Sequence, residues 1–160
     1  MDVSLLSKEF SVRKLYKSDI AALFELMRKN TLYYQYHPPL VTVESIEEDM
    51  RALPSGKSSK DKYYIGFFEN EKPVAVADII LDYPAQDIAF VGFFMTDVIY
   101  QGKGIGSKII SEVCESLKTQ GYKKVRLGVD KGNPQSYSFW AKNCFCVVNE
   151  KEYIVMERLL

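Results

Sequence analysis

One stretch of the chain constrains it more than any other. The apolar run Ala89 to Met95 is followed by Gln101-Gly102-Lys103-Gly104-Ile105-Gly106 and then by a helical stripe of Ile105, Ile109, Val113 and Leu117. An apolar run of this length reads as a buried strand, and the stripe as an amphipathic helix. The glycines between them let the backbone turn tightly and approach a ligand without Cβ clashes. The first N–H groups of the helix have no internal partner, and the positive end of its dipole favours a negative group by about 0.3–1 kcal/mol. Strand, glycine turn and helix start together make a phosphate site.

Two common phosphate motifs do not fit. Gly56-Lys57-Ser58 copies the end of a Walker A loop, but position 51 is Arg where the motif needs Gly, and the surroundings read as a polar loop. The dinucleotide fingerprint G-x-G-x-x-G fails because Ser107 stands where the third glycine belongs. That fold also places its loop after the first strand, whereas here about a hundred residues precede it, the size of a small domain.

The 160 residues suit one domain, residues 1–160, with one core. Lys+Arg and Asp+Glu are both 21, so the formal net charge is zero and gives no electrostatic case for nucleic acid or an anionic membrane. No apolar run approaches the roughly 18 residues of a membrane span, and the N-terminus does not read as a signal peptide. Cys114, Cys144 and Cys146 are odd in number and not spaced as a disulfide framework, so a cytoplasmic location is expected. With a single His, zinc has too few ligands, and no metal is expected.

The elements follow in order. Phe10 to Leu15 alternates as a strand. Ser18 or Asp19 caps a helix to about Lys29, with Ile20, Leu23, Phe24 and Met27 on its buried side. Tyr33 to Pro39 is expected to stay out of a helix because of its prolines. A helix capped by Thr42 or Ser45 ends near Pro54, and Ser55 to Lys62 is a polar loop. Tyr63–Phe68 and Val74–Leu81 form a hairpin about Glu69–Lys72. After the central strand and the glycine loop, the helix runs to Gln120 and Gly121 ends it. Lys124–Asp130 is a strand, Asn133-Pro134 opens a helix to about Asn143, and Phe145–Val148 and Tyr153–Leu159 close the chain. The expected class is mixed α/β, with about seven strands and about four helices.

Two blocks carry a resemblance to a known family. Gln101 to Gly106 reads Q-x-x-G-x-G, and Asn133-Pro134-Gln135-Ser136-Tyr137-Ser138-Phe139-Trp140-Ala141-Lys142-Asn143-Cys144-Phe145 follows about 30 residues later. Together, and in this element order, they resemble the GNAT superfamily of acyl-coenzyme A-dependent N-acetyltransferases. Its pattern for the second block is roughly N-x-x-A-x-x-[LF]-[YW]-x-K-x-G-F. Asn133, Phe139, Lys142 and Phe145 match it, Ser136 replaces Ala, and Cys144 replaces Gly at the helix end, where the turn is open to change.

The resemblance implies a GNAT fold that transfers an acetyl group from acetyl-CoA to a primary amine. The amine would attack the thioester directly in a ternary complex, with catalysis resting mainly on proximity and orientation. Backbone N–H groups of Gln101, Gly102, Lys103, Gly104, Ile105, Gly106 and Ser107 would hold the coenzyme A pyrophosphate. The two central parallel strands would splay, so that Phe94, Met95 and Thr96 pair with the pantetheine arm. An N–H near Met95 or Thr96 would polarise the thioester carbonyl. Asn133 would hydrogen-bond the pantetheine.

Many members of the family have Tyr as general acid where this chain has Trp140, whose indole cannot usefully release a proton. Trp140 is therefore expected to pack against the cofactor arm or the core. Asn133, Ser136, Tyr137 and Trp140 fall at helical spacing, so Tyr137 is the candidate acid in its place. The central strand lacks the Glu that some members use as base; Asp78, Asp82, Asp97 and His37 are open to that role, of which Asp78 is the candidate. Tyr33, Tyr34, Tyr36 and His37 are expected to wall the acceptor pocket, where aromatic faces suit a cation, and Glu44, Glu47, Glu48 and Asp49 follow on the next helix. The acceptor is a small-molecule or peptide amine. A homodimer through the exposed closing strands is open, and the rival function is a GNAT-fold module that binds coenzyme A without turnover.

Overall fold

The computed structural model describes every residue from Met1 to Leu160. A seven-stranded sheet runs in the order β1-β2-β3-β4-β5-β7-β6. Its strands are β1 (Ser11–Lys14), β2 (Lys62–Glu69), β3 (Lys72–Leu81), β4 (Ile88–Thr96), β5 (Lys124–Val129), β6 (Cys146–Glu150) and β7 (Ile154–Leu159). Five helices accompany it: α1 (Ile20–Met27), α2 (Thr31–Tyr36), α3 (Val43–Arg51), α4 (Ile105–Thr119) and α5 (Pro134–Lys142). No helix is long and apolar enough to cross a membrane.

The sheet has a core on each face, as the period-2 alternation of buried strands requires. Ala75, Ala77 and Ile79 of β3 pack with Ile109, Val113 and Leu117 of α4, while Val76 packs with Leu23 and Met27 of α1 and Ile46 of α3. On α1, Leu26 is buried and Phe24 only half-buried. The strand β6 is exposed along its whole length at the sheet edge.

All neighbouring strands are antiparallel except β4 and β5, which the α4 crossover makes parallel. Their pairing runs only from Ile88–Lys124 to Val91–Leu127. Beyond Val91 the two strands part, while β4 stays paired to β3 as far as Thr96. The β3–β4 register shifts between Asp78, opposite Phe93, and Ile79, opposite Val91. Gly92 is therefore the extra residue of a β-bulge, set where the strands separate.

One expectation from the sequence is corrected here. Residues expected to stay out of a helix form α2, giving five helices rather than four. A proline restricts itself and the residue before it. Pro38 therefore acts on His37, which is non-helical at φ −131° and ψ 65°, and leaves Thr31 to Tyr36 free to coil.

The turn after α5 keeps its glycine geometry without a glycine. Cys144 has φ +66°. Its N–H bonds the Ala141 carbonyl and the Phe145 N–H bonds that of Trp140, each at 3.1 Å, the pattern of a left-handed helix end. A side chain in this region costs about 1–2 kcal/mol. Cys144→Gly is expected to stabilise the protein by about 1 kcal/mol and raise Tm by about 2–4 °C. A lower Tm would mean that the cysteine side chain contributes packing that outweighs its strain.

Candidate active site

Two clefts open at the gap between β4 and β5. The larger, of about 500 Å³, lies between the end of β4, the α1–α2 corner, the glycine loop and α5. The smaller, of about 260 Å³, lies along Phe90 to Phe94 and Leu127 to Asp130. Tyr33, Phe94, Asn133, Ser136 and Trp140 line both, so the two form one continuous channel.

Free backbone groups line the larger cleft. The Asp97 N–H bonds the Val74 carbonyl at 2.8 Å. In an antiparallel pair the bonded residues alternate, so Met95 and Phe93 also direct their N–H groups to β3. Phe94 and Thr96 direct theirs into the cleft. Of the two residues named as oxyanion donors, Met95 is thereby corrected to a β3 partner and Thr96 is kept, with Phe94 beside it. The Thr96 carbonyl accepts from the Asn30 side-chain amide at 3.3 Å and from that of Gln101 at 3.2 Å.

The N–H groups of Gly102 to Ser107 make no hydrogen bond within the chain; the first to do so is that of Lys108, to Gly104 at 3.0 Å. Six consecutive free donors at the start of the fifteen-residue α4 form an anion cradle. Gly102 and Gly104 have φ of +72° and +80°, the left-handed region that glycine adopts without a Cβ clash. Gln101 is not one of these donors. Its N–H is spent on the Val98 carbonyl at 3.2 Å, and its side chain bonds Asn30 Oδ1 at 2.6 Å. It locks the loop to the α1–α2 corner. Lys103 is exposed and offers its N–H, and Ile105 packs against the core.

Asn133 caps α5, its Oδ1 accepting the Ser136 N–H at 3.0 Å. Its side-chain nitrogen has no protein partner at the cleft wall, so it both caps and offers a donor. Trp140 is buried among Phe94, Phe139 and Phe145, with ring centroids 5.0–6.0 Å away, as expected of a packing residue. Tyr137 is 41% exposed and lies outside the cleft lining. Asn133, at φ −94° and ψ 87°, precedes the helix, so helical spacing counted from it does not set a common face. With Tyr137→Phe, turnover is expected to stay within about twofold of wild type, the range of a surface change. A drop of tenfold or more would return Tyr137 to the chemistry.

Phe139 and Lys142, matches to the second motif block, also line the cleft, as do Lys29 and Asn30, which no sequence motif marks. Lys142 lies in the second motif block, and its charge was the signal available. Lys29 faces Asp97 at 3.5 Å.

Two of the four expected acceptor residues, Tyr33 and His37, line the smaller cleft. Tyr34 stands edge-on to Tyr33 at 5.0 Å, outside the lining, and Tyr36 is 37% exposed and away from both clefts. His37 Nδ1 lies 2.9 Å from Asp130 Oδ2 across the mouth. Among the candidate bases, Asp97 caps a turn through the Ile99 N–H, and Asp82 accepts the Asp87 N–H in the β3–β4 connection. Asp78 is buried outside the lining, its Oδ2 2.6 Å from the buried Lys62 ammonium. Burial raises its carboxyl above the ordinary range, against the opposing pull of Lys62. A Cβ at Gly92, which lines the smaller cleft, would stand 3.1 Å from Asp78 Oδ2.

Comparison with known proteins agrees with this geometry. The acetyltransferase (GNAT) family model matches residues 21–144. No curated protein matches the chain by sequence. Among solved structures, an acetyltransferase from Thermus thermophilus superposes with TM-score 0.82 at 20% identity, covering all of both chains. The PaiA N-acetyltransferase from Thermoplasma acidophilum, solved in complex with coenzyme A, superposes with TM-score 0.70 at 21% identity, over 94% of this chain and 99% of its own. The ribosomal-protein-S18-alanine N-acetyltransferase from Escherichia coli gives 0.66 at 15% identity, over 94% and 93%.

Proposed function

Since the chain belongs to the GNAT acetyltransferase family, we propose that it transfers an acetyl group from acetyl-CoA to a primary amine. One observation carries this reading: six free N–H groups stand at one end of a cleft whose other wall is the unpaired edge of β4. That arrangement suits a ligand with a pyrophosphate at one end and an amide-bearing arm at the other.

The pyrophosphate binds the N–H groups of Gly102 to Ser107, with Lys29 and Lys142 adding positive charge. The pantetheine lies along Phe94 to Thr96 as an added strand, and the free Asn133 nitrogen donates to it. The Phe94 or Thr96 N–H holds the thioester oxygen as negative charge develops on it. The amine enters from the smaller cleft and attacks the carbonyl carbon directly, and Asp78 behind Gly92 is its base candidate. With Tyr137 outside the lining, solvent protonates the departing thiolate. The catalytic advantage is chiefly the alignment of two bound reactants.

Free-thiol release from acetyl-CoA across a panel of amines tests this reading. A no-acceptor control and an enzyme-only blank are required, because Cys144 and Cys146 are exposed. Acceptor-dependent release is expected. No release in a protein that binds coenzyme A would make it a non-catalytic binding module.

A further inference from the structure

His37 and Asp130 both line the smaller cleft and meet across its mouth. Each is fixed from the backbone outward. His37 ends α2, with its N–H bonded to the Tyr33 carbonyl at 3.0 Å, and Pro38 restricts its backbone from the other side. Asp130 follows β5, and its carbonyl accepts the Asn133 N–H at 3.2 Å, which ties it to the start of α5. The Tyr33 ring lies beside the imidazole, 5.4 Å between centroids. The two side chains join at Nδ1 and Oδ2, 2.9 Å apart.

That bond assigns the ring nitrogens. An ionised carboxylate only accepts, so Nδ1 carries the proton and Nε2 of the neutral ring keeps a lone pair. The bond to Asp130 is the ring's only one in the chain, which leaves Nε2 free for a ligand. The imidazole is half-exposed, so a proton it takes up can pass on to water. Among the residues lining either cleft, His37 alone is of a kind that gains and loses a proton between about pH 5 and 8. Burial holds the Tyr33 phenol far above that range. Asp78 lines neither cleft and is paired with Lys62.

We infer that His37 is the general base for the acceptor amine and that Asp130 is the positioning residue that fixes its tautomer. This rests on the acetyl-transfer reading above and gives His37 the role for which Asp78 is the sequence's candidate. The same cleft, of about 260 Å³, reaches Phe93 and Phe94, beside the N–H assigned to the thioester oxygen. An ammonium in it gives one proton to Nε2 through at most one bridging water. That N–H bond breaks, its electron pair stays on nitrogen, and the Asp130 carboxylate holds the imidazolium. The nitrogen then forms the C–N bond, and the C–S bond breaks with its pair on sulfur. A second N–H proton passes to solvent as solvent protonates the thiolate. His37 returns its own proton to water.

The chain has one histidine, so imidazole nitrogen signals in the NMR spectrum belong to His37. In the neutral ring they are expected to show the proton on Nδ1. Thiol release is followed with 2-phenylethylamine, or with the fastest amine of the panel where that one is not a substrate. From pH 8 to 5, kcat/KM is expected to fall with the midpoint of the imidazole titration in the free protein. The groups that bear on that midpoint are Asp130 after β5, Asp49 of α3, Tyr33 on α2 and Tyr153 between β6 and β7. His37→Asn keeps a donor for Asp130 but has no base. It is expected to lower kcat/KM about 100-fold at pH 7 and to lose the acid limb, and Asp130→Asn to cost about tenfold and move both midpoints together. Neither changes coenzyme A affinity. A pair that only bridges α2 to β5 would show none of this in His37→Asn, since Asn still donates to the carboxylate. Unchanged release in His37→Asn, a kinetic midpoint that departs from the imidazole titration, or a neutral ring protonated on Nε2 would each overturn the inference. No release by the wild type with any amine of the panel would overturn the acetyl-transfer reading, and this one with it.

Discussion

Gly104→Glu is expected to give a folded protein with at least about 100-fold weaker affinity for coenzyme A. Gly104 has φ +80°, and a Cβ built on it meets nothing within 4 Å. The fold therefore loses only the cost of a side chain in the left-handed region, about 1 kcal/mol. The ligand loses far more. The new carboxylate stands among the free N–H groups of Gly102 to Ser107 and competes for them. It also repels the pyrophosphate, by about 3 kcal/mol per charge pair at ~5 Å and an effective dielectric constant near 20. Gly104→Ala carries the strain without the charge and serves as the control. Calorimetry with coenzyme A separates the two, and unchanged affinity in a folded Gly104→Glu protein would remove the loop from cofactor binding.

The second large effect is on stability. Lys62→Met leaves the buried Asp78 carboxylate without its ammonium partner. Removing one member of a buried ion pair costs about 3–5 kcal/mol. In a chain of this size that lowers Tm by about 6–20 °C. The deficit depends on pH in a defined direction. Burial already raises the Asp78 carboxyl in the folded protein, and loss of the Lys62 attraction raises it further. A folded-state value above the unfolded one gives stability that is present at acid pH and lost as pH rises through the folded value. The variant therefore falls further behind wild type at neutral pH than in acid. Asp78→Asn in the same background recovers most of the loss. Thermal melts across that range check both statements, and equal Tm values at neutral pH would show that the pair contributes nothing.

The parts of the molecule that were legible in the sequence are those set by local constraints. The Gly102 and Gly104 turn needs a left-handed backbone, and the α4 stripe needs only its own period. The chain order of β2, β3 and β4 follows from apolar runs separated by turn residues. The helix α2 was missed because six residues without a clear cap or a full apolar period carry little signal. Tyr137 was misplaced because its face was counted from Asn133, which precedes the helix. The Lys62–Asp78 pair depends on cross-strand register, with Tyr64 opposite Asp78, and sequence spacing does not reveal register. The same holds for the Gly92 bulge and for the Gln101–Asn30 bond, which joins residues 71 apart. The smaller cleft likewise draws on segments as far apart as Tyr33 and Tyr153. The row of free N–H groups, by contrast, is built from one continuous loop.

The most direct test is the backbone amide NMR spectrum of the protein titrated with coenzyme A. Glycine amides at Gly102, Gly104 and Gly106, and those of Phe94 and Thr96, report on the groups assigned to the pyrophosphate and the pantetheine arm. These five are expected to shift together and saturate with one binding curve, while Gly56 and Gly121, remote in the sequence from both motif blocks, stay in place. Saturable binding that leaves the three loop glycines unmoved would contradict the account.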